Sequence, residues 1–213
     1  MQSLVSHLAK ISKKLLPEEL SVLKTPQNIL SDCDNCYQVA SNEHYIDLKC
    51  CSVIPHVPNI FLGAALSPQS AEDFGSNKKA KDAVMSAFDE GLYLPEGMQH
   101  SPQLFFTAID MNKKGMFGKD YRLACPFLEV YSEQNSGQEN AACKIHDFRN
   151  ANCSTHFCKP SLGLDASDFW MDVRYFLRYS ETYLAAEALI AQDFDLQLYL
   201  SRMAELAHFD PVV

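Results

Sequence analysis

Cys143-Lys144-Ile145-His146-Asp147-Phe148-Arg149-Asn150-Ala151-Asn152-Cys153-Ser154-Thr155-His156-Phe157-Cys158 sets three cysteines within one short stretch. Its first part, with Ala142 just before it, reads as the returning arm of a hairpin. From Asn150 to Leu162 the chain reads as irregular and Cys-rich. Working outward, the other cysteines are Cys33, Cys36, Cys50, Cys51 and Cys125, and none lies before residue 33 or after residue 158. Eight cysteines in 213 residues are far fewer than the roughly 8–10% of a small disulfide scaffold. Met1 to Leu16 places Lys10, Lys13 and Lys14 after its apolar residues and has no continuous apolar core, so no secretion signal is expected. The expected compartment is the cytoplasm, where thiols stay reduced. There, cysteines grouped in this way point to metal binding or redox chemistry.

Spacing refines that expectation. Zinc and iron–sulfur clusters take cysteine as the thiolate, and four such ligands close a tetrahedral site. Cys33-x2-Cys36 is a close pair and Cys153-x4-Cys158 a looser one. In extended backbone the Cys50-Cys51 doublet points its side chains to opposite sides, so it feeds two sites, or one site and one packing position. The eight thiols divide as two four-Cys sites, one such site with spares, or a single site with a resolving pair. His146 and His156, each three residues after a cysteine, are further candidate ligands or donors to sulfur; His44 and His56 are weaker ones. Arg149 either anchors its loop through backbone carbonyls or hydrogen-bonds sulfur and offsets thiolate charge.

The whole pattern resembles the YkgJ-like family of zinc- or iron-chelating Cys-cluster proteins. The likeness lies in an early pair and doublet, then Cys125-Pro126-Phe127-Leu128, Cys143-x-Ile145-His146-x2-Arg149 and Cys153-x4-Cys158, and covers roughly residues 33–158. It implies metal or cluster binding in a small bacterial cytoplasmic protein. The ligand positions it implies are Cys33, Cys36, Cys50, Cys51, Cys125, Cys143, Cys153 and Cys158. Three features depart from the family pattern: a wide gap between Cys36 and Cys50, Asn150 where the family has proline, and a long insertion between Cys51 and Cys125. The cofactor implied is iron, as an ion or an iron–sulfur cluster, or zinc; Cys125-Pro126 leans toward iron.

The fold expected is α+β: an irregular Cys-rich metal-binding core with short strands, flanked by N-terminal and C-terminal helices. We read residues 1–213 as one domain, with N-terminal helices over 1–30, the Cys-cluster core over 31–162 and an acidic helical part over 163–213. Leu4, Leu8, Ile11 and Leu15 predict one amphipathic N-terminal helix, and Pro17-Glu18-Glu19 opens a second. Pro55 and Pro58 predict extended chain ahead of Ile60-Phe61-Leu62. Ala80 to Asp89 predicts a helix stopped by Gly91, and Leu104 to Ile109 a strand. Arg122 to Tyr131 predicts extended chain, and Ser132 to Asn140 a surface loop. Asp110 to Gly115 predicts a turn, since it lacks the later acids of a calcium loop. Ser167-Asp168 predicts the start of a helix through Trp170, Val173, Phe176 and Leu177, with a second helical stretch through Leu184, Ala188, Leu189, Leu196, Leu200 and Met203.

Net charge and composition exclude some functions. A charge of −9 opposes binding to nucleic acid or anionic lipid. No apolar run approaches the roughly 20 residues that span a bilayer. From Asp165 to Asp210 nine acids face three arginines, which predicts a solvated acidic face or a docking surface for a basic protein partner. There is no phosphate-binding glycine loop, zinc-protease helix motif or nucleophile elbow. Three functions remain open: a metal- or cluster-binding protein with a structural or redox site, an iron- or cluster-dependent enzyme, and a zinc-stabilised interaction module.

Overall fold

Two prolines set the first fixed point. Pro55 and Pro58 favour extended backbone, and Val57–Pro58 forms β1. It pairs antiparallel with β3 (Gly97–Met98), which also pairs with β2 (Tyr93–Leu94), giving the order β1-β3-β2. The structure is a computed structural model and describes residues 3–26, 37–40, 44–52, 55–69, 72, 77–89, 93–98, 102–132, 139–157, 164–195 and 197–201. Its helices in chain order include α1 (Lys10–Lys13), α2 (Glu18–Ser21), α3 (Tyr37–Ala40), α4 (Asn59–Leu66), α5 (Lys78–Asp89), α6 (Pro102–Lys113) and α7 (Leu164–Ile190). A second sheet is the hairpin of β4 (Leu128–Ser132) and β5 (Glu139–Cys143), with Leu128 opposite Cys143. The protein is a mixed α and β fold with short sheets.

The main core collects Phe61, Leu62 and Ala65 of α4 with Ala80, Ala83, Val84 and Ala87 of α5. The α5 positions repeat at helical spacing, which is why that helix was legible and starts only two residues before the expected point. The helix α4 was not anticipated. Its run Ile60 to Leu66 is apolar on every side and therefore carries no periodic signal.

Five expectations are corrected. The N-terminal helix is broken: a 3₁₀ turn at Leu4–His7 is separated from α1 by Leu8 and Ala9 in extended conformation, with ψ of 156° and 148°. The break serves two clusters. Leu4 and Leu8 pack with Ala151, Trp170 and Leu177, whereas Ala9 and Ile11 join the main core. A single straight helix would offer one stripe to one cluster, and so short a helix has little stability of its own.

The expected strand Leu104 to Ile109 lies inside α6. Pro102 occupies the first turn, where proline is tolerated, and Asp110 pairs with Lys114 at 2.6 Å one turn later. The helix ends at Gly115, whose φ of 68° suits glycine. Gly115 N–H donates to the Asn112 carbonyl and Met116 N–H to that of Met111, a Schellman closure. Boundary signals on both sides thus outweigh six β-prone residues, and the expected turn at Asp110 to Gly115 is the end of this helix.

The expected pair of C-terminal helices is, up to Ile190, one helix of 27 residues that begins at Leu164. Ala166, Trp170, Leu177 and Ala185 are its buried stripe. The chain turns after Ile190 and is helical again at residues 197–201; Leu196 and Met203 lie outside the described residues, as does Gly91. Between Arg122 and Tyr131 only the end is strand, because Tyr121–Leu123 forms a 3₁₀ turn capped by the Asp120 side chain. The hairpin's returning arm stops at Cys143, and His146–Phe148 is a 3₁₀ turn. Among the described residues no helix is long and apolar enough to cross a membrane.

Candidate functional site: a thiol-lined cavity

Cysteines far apart in sequence meet because three loops are tied together by specific hydrogen bonds. The turn carrying Cys50 and Cys51 docks against the segment after α6. Tyr45 N–H donates to the Gly118 carbonyl at 2.9 Å, and Gly118 N–H donates to Ser52 Oγ at 2.7 Å. Gly118 has φ of 73°, and a Cβ there would lie 2.0 Å from the His44 ring, so only glycine allows the approach. Cys125 N–H then donates to the Cys51 carbonyl at 2.6 Å, and Tyr121 Oη donates to Asp47 at 2.7 Å. Lys49, with φ of 54°, is 4% exposed and donates its ammonium to the Ala141 carbonyl, two residues before Cys143.

A second tie holds Cys153. Asn150, 3% exposed, donates through Nδ2 to the His56 carbonyl at 2.5 Å and accepts from Cys153 N–H at 2.9 Å. Cys153 opens a single turn of π-helix, Cys153–Phe157, a rare conformation found often at functional sites. Behind it, Glu181 of α7 accepts from Ala151 N–H at 2.7 Å. This carboxyl is 4% exposed, and burial pushes its pKa up to about 8, against the opposing pull of the Ala151 N–H and the Arg178 charge.

Cys50, Cys51, Cys125, Cys143 and Cys153 all line one cavity of about 30 Å³. They carry thiols rather than disulfides. Apolar Pro55, Val57, Phe127 and Ile145 form much of the remaining wall, with Arg149 and Asn150 at its side. The space admits an ion or a very few waters, since one water needs roughly 10–15 Å³. It is an order of magnitude smaller than ordinary ligand pockets, which start near about 300 Å³.

The wall sets the charge state of the sulfurs. Burial holds the Cys125 thiol well above its usual range, and the charge of Cys143 adds to that. For Cys51 a hydrogen bond from Cys50 pulls downward, but burial and the charges of Cys143, Cys125 and Cys153 outweigh it. Several thiolates cannot share this apolar space without a cation; a bound cation reverses the balance. Among the described residues, no three His, Cys, Asp or Glu side chains stand in a ready-made metal-binding arrangement.

Cys33, Cys36 and Cys158 lie outside the described residues, as does the His156 side chain. His146 is exposed and lines a different cleft, and His44 packs edge-on against Phe117. Of the two roles expected of Arg149, loop anchoring is the one observed: Nε donates to the His146 carbonyl at 3.1 Å, and the residue is also part of the cavity wall. Sequence reasoning missed Asn150, seen only as a departure from proline, and Glu181, read as part of a solvated acidic face. Glu181 sits one turn from both Leu177 and Ala185, and a carboxyl on an apolar stripe was a signal that could have been used. The opposite face of α7 exposes Tyr175, Tyr179 and Tyr183. No family model matches the chain, and neither a curated protein nor a solved structure matches it.

Proposed function

We propose that the protein binds a soft metal ion, iron or zinc, through thiolates drawn from Cys50, Cys51, Cys125, Cys143 and Cys153. One observation carries this reading: five thiols from distant parts of the sequence border a single cavity of ionic size. Thiolate closes four-sulfur zinc sites and also ligates iron. A cysteine has one side-chain torsion before its sulfur, so sulfurs can turn inward while the backbone stays in place. The ion would supply the positive charge that lets these sulfurs ionise, and Arg149 would balance the remainder. Because burial makes Cys51 and Cys125 hold their protons tightly, binding releases protons and weakens as pH falls.

The cavity's size supports a single ion over a multi-atom iron–sulfur cluster, and it leaves no room beside the sulfurs for an organic substrate. A structural or electron-transfer site is therefore favoured over an enzyme centre. The test is elemental and sulfide analysis of protein purified without oxygen. Stoichiometric iron or zinc, lost in Cys51→Ser and Cys125→Ser, is the expected result. Acid-labile sulfide would favour a cluster instead, and folded metal-free protein would remove the reading.

A second reading, a metal-braced interaction module, draws on the tyrosines of α7. Tyr175, Tyr179 and Tyr183 recur at one-turn spacing, all exposed, with Asp172 before and Glu187 after them. A basic protein segment is the partner such a face would suit.

A further inference from the structure

The strand end that closes the thiol cavity has a second side. Along Cys143 to Phe148 the side chains alternate between two spaces: Cys143 and Ile145 line the thiol cavity, whereas Lys144 and His146 line a separate cleft of about 300 Å³. Asp147 and Phe148 continue the cleft's wall, and Lys79 and Ala80 at the start of α5 face them. That volume lies at the lower end of the range for small-molecule sites, roughly 300–1,000 Å³.

The charges in the cleft are unevenly satisfied. Lys79 donates to both oxygens of Glu129 at 3.0 Å. Asp147, the cleft's acid, is paired with Lys10 at 2.8 Å and also lies 3.7 Å from His146 Nδ1. The Lys144 ammonium has no carboxylate partner among the described residues. What remains uncompensated is therefore positive, in a chain whose net charge is −9. Beside Lys144 stands the His146 imidazole, a second hydrogen-bonding group, while Phe148 and Ala80 offer apolar contact.

We infer that this cleft binds a small anionic molecule whose carboxylate or phosphate group is held by Lys144 and His146. The inference does not depend on what the thiols bind, although both sites share one strand end as their wall.

The experiment titrates the full chain with inorganic phosphate and, separately, with acetate at constant ionic strength, followed by calorimetry. Saturable binding of at least one anion is expected, and which one binds tells phosphate from carboxylate recognition. Lys144→Gln should weaken it about tenfold, the effect of losing one charge-assisted hydrogen bond. Lys144→Arg should retain most of it, and Lys114→Gln, exposed just after α6, should change nothing. In the unaltered protein, the His146 ring signals should move on anion addition at fixed pH, more than those of the other histidines. Non-saturable uptake of both anions, equal loss in Lys114→Gln and Lys144→Gln, or an unmoved His146 ring would overturn the assignment.

Discussion

Helix α7 and the thiol cavity are held in the molecule by different means. The helix relies on regularity: Ala166, Trp170, Leu177 and Ala185 bury one stripe, and each backbone bond is local. The cavity has almost no regular structure around it. Its geometry depends on individual bonds between loops, such as Cys125 to Cys51, Gly118 to Ser52 and Asn150 to His56. Regular packing spreads stability over many contacts, whereas loop ties concentrate it in a few atoms. The two regions meet at Glu181, where a helix side chain caps the turn that leads to Cys153.

Breaking a loop tie should therefore cost most. Asn150→Ala removes two part-buried hydrogen bonds and leaves the His56 carbonyl and Cys153 N–H without that partner. A loss of about 2–4 kcal/mol is expected in urea unfolding. A result below about 1 kcal/mol would show that the π-turn holds itself.

At the junction the effect depends on pH. The Glu181 carboxyl is raised to about 8 from an ordinary value near 4.5, so the folded state holds a proton that the unfolded chain has lost between these values. Stability contributed by this group is then full below about pH 4.5 and declines as pH rises toward 8, by up to about 1.4 kcal/mol per pH unit. Glu181→Gln keeps an acceptor for Ala151 and should flatten that decline, leaving the variant more stable than the parent near pH 8. Parallel unfolding curves for the two proteins across this window would contradict the assignment.

Gly118→Ala comes next, at about 1–3 kcal/mol, because its methyl group meets the His44 ring and its backbone is left-handed. Smallest is Tyr179→Ala on the solvent side of α7, where the residue is 76% exposed; a change within about 0.5 kcal/mol is expected in thermal or urea unfolding. A larger loss would mean that the helix also depends on its outer face.

The same contrast governs what could be read from the residues. Helix α5 follows a period that any single sequence displays, as do Trp170 and Leu177 of α7, although Phe176, expected in the same helix, is 37% exposed; the strand returning through Ala142 follows a run of polar residues in the sequence. Cysteine grouping pointed to five thiols that do share a cavity. The break at Leu8 and Ala9 was not legible, since it serves two clusters that exist only after folding. Nor were the ties at Cys51, Gly118 and Asn150, because a backbone carbonyl that accepts a distant hydrogen bond leaves no trace in residue identity. The strand expected at Leu104 to Ile109 failed by weighing six local residues above the helix signals on either side.

Cobalt titration of the metal-free, fully reduced chain tests the central claim most directly, since sulfur-to-cobalt charge-transfer absorption grows with the number of thiolate ligands. We expect that absorption to saturate with cobalt, to weaken as pH falls, and to drop sharply in Cys51→Ser, Cys125→Ser and Cys143→Ser. A folded chain with its thiols intact that develops no such absorption, or one whose absorption survives all three substitutions, would contradict a thiolate metal site in this cavity.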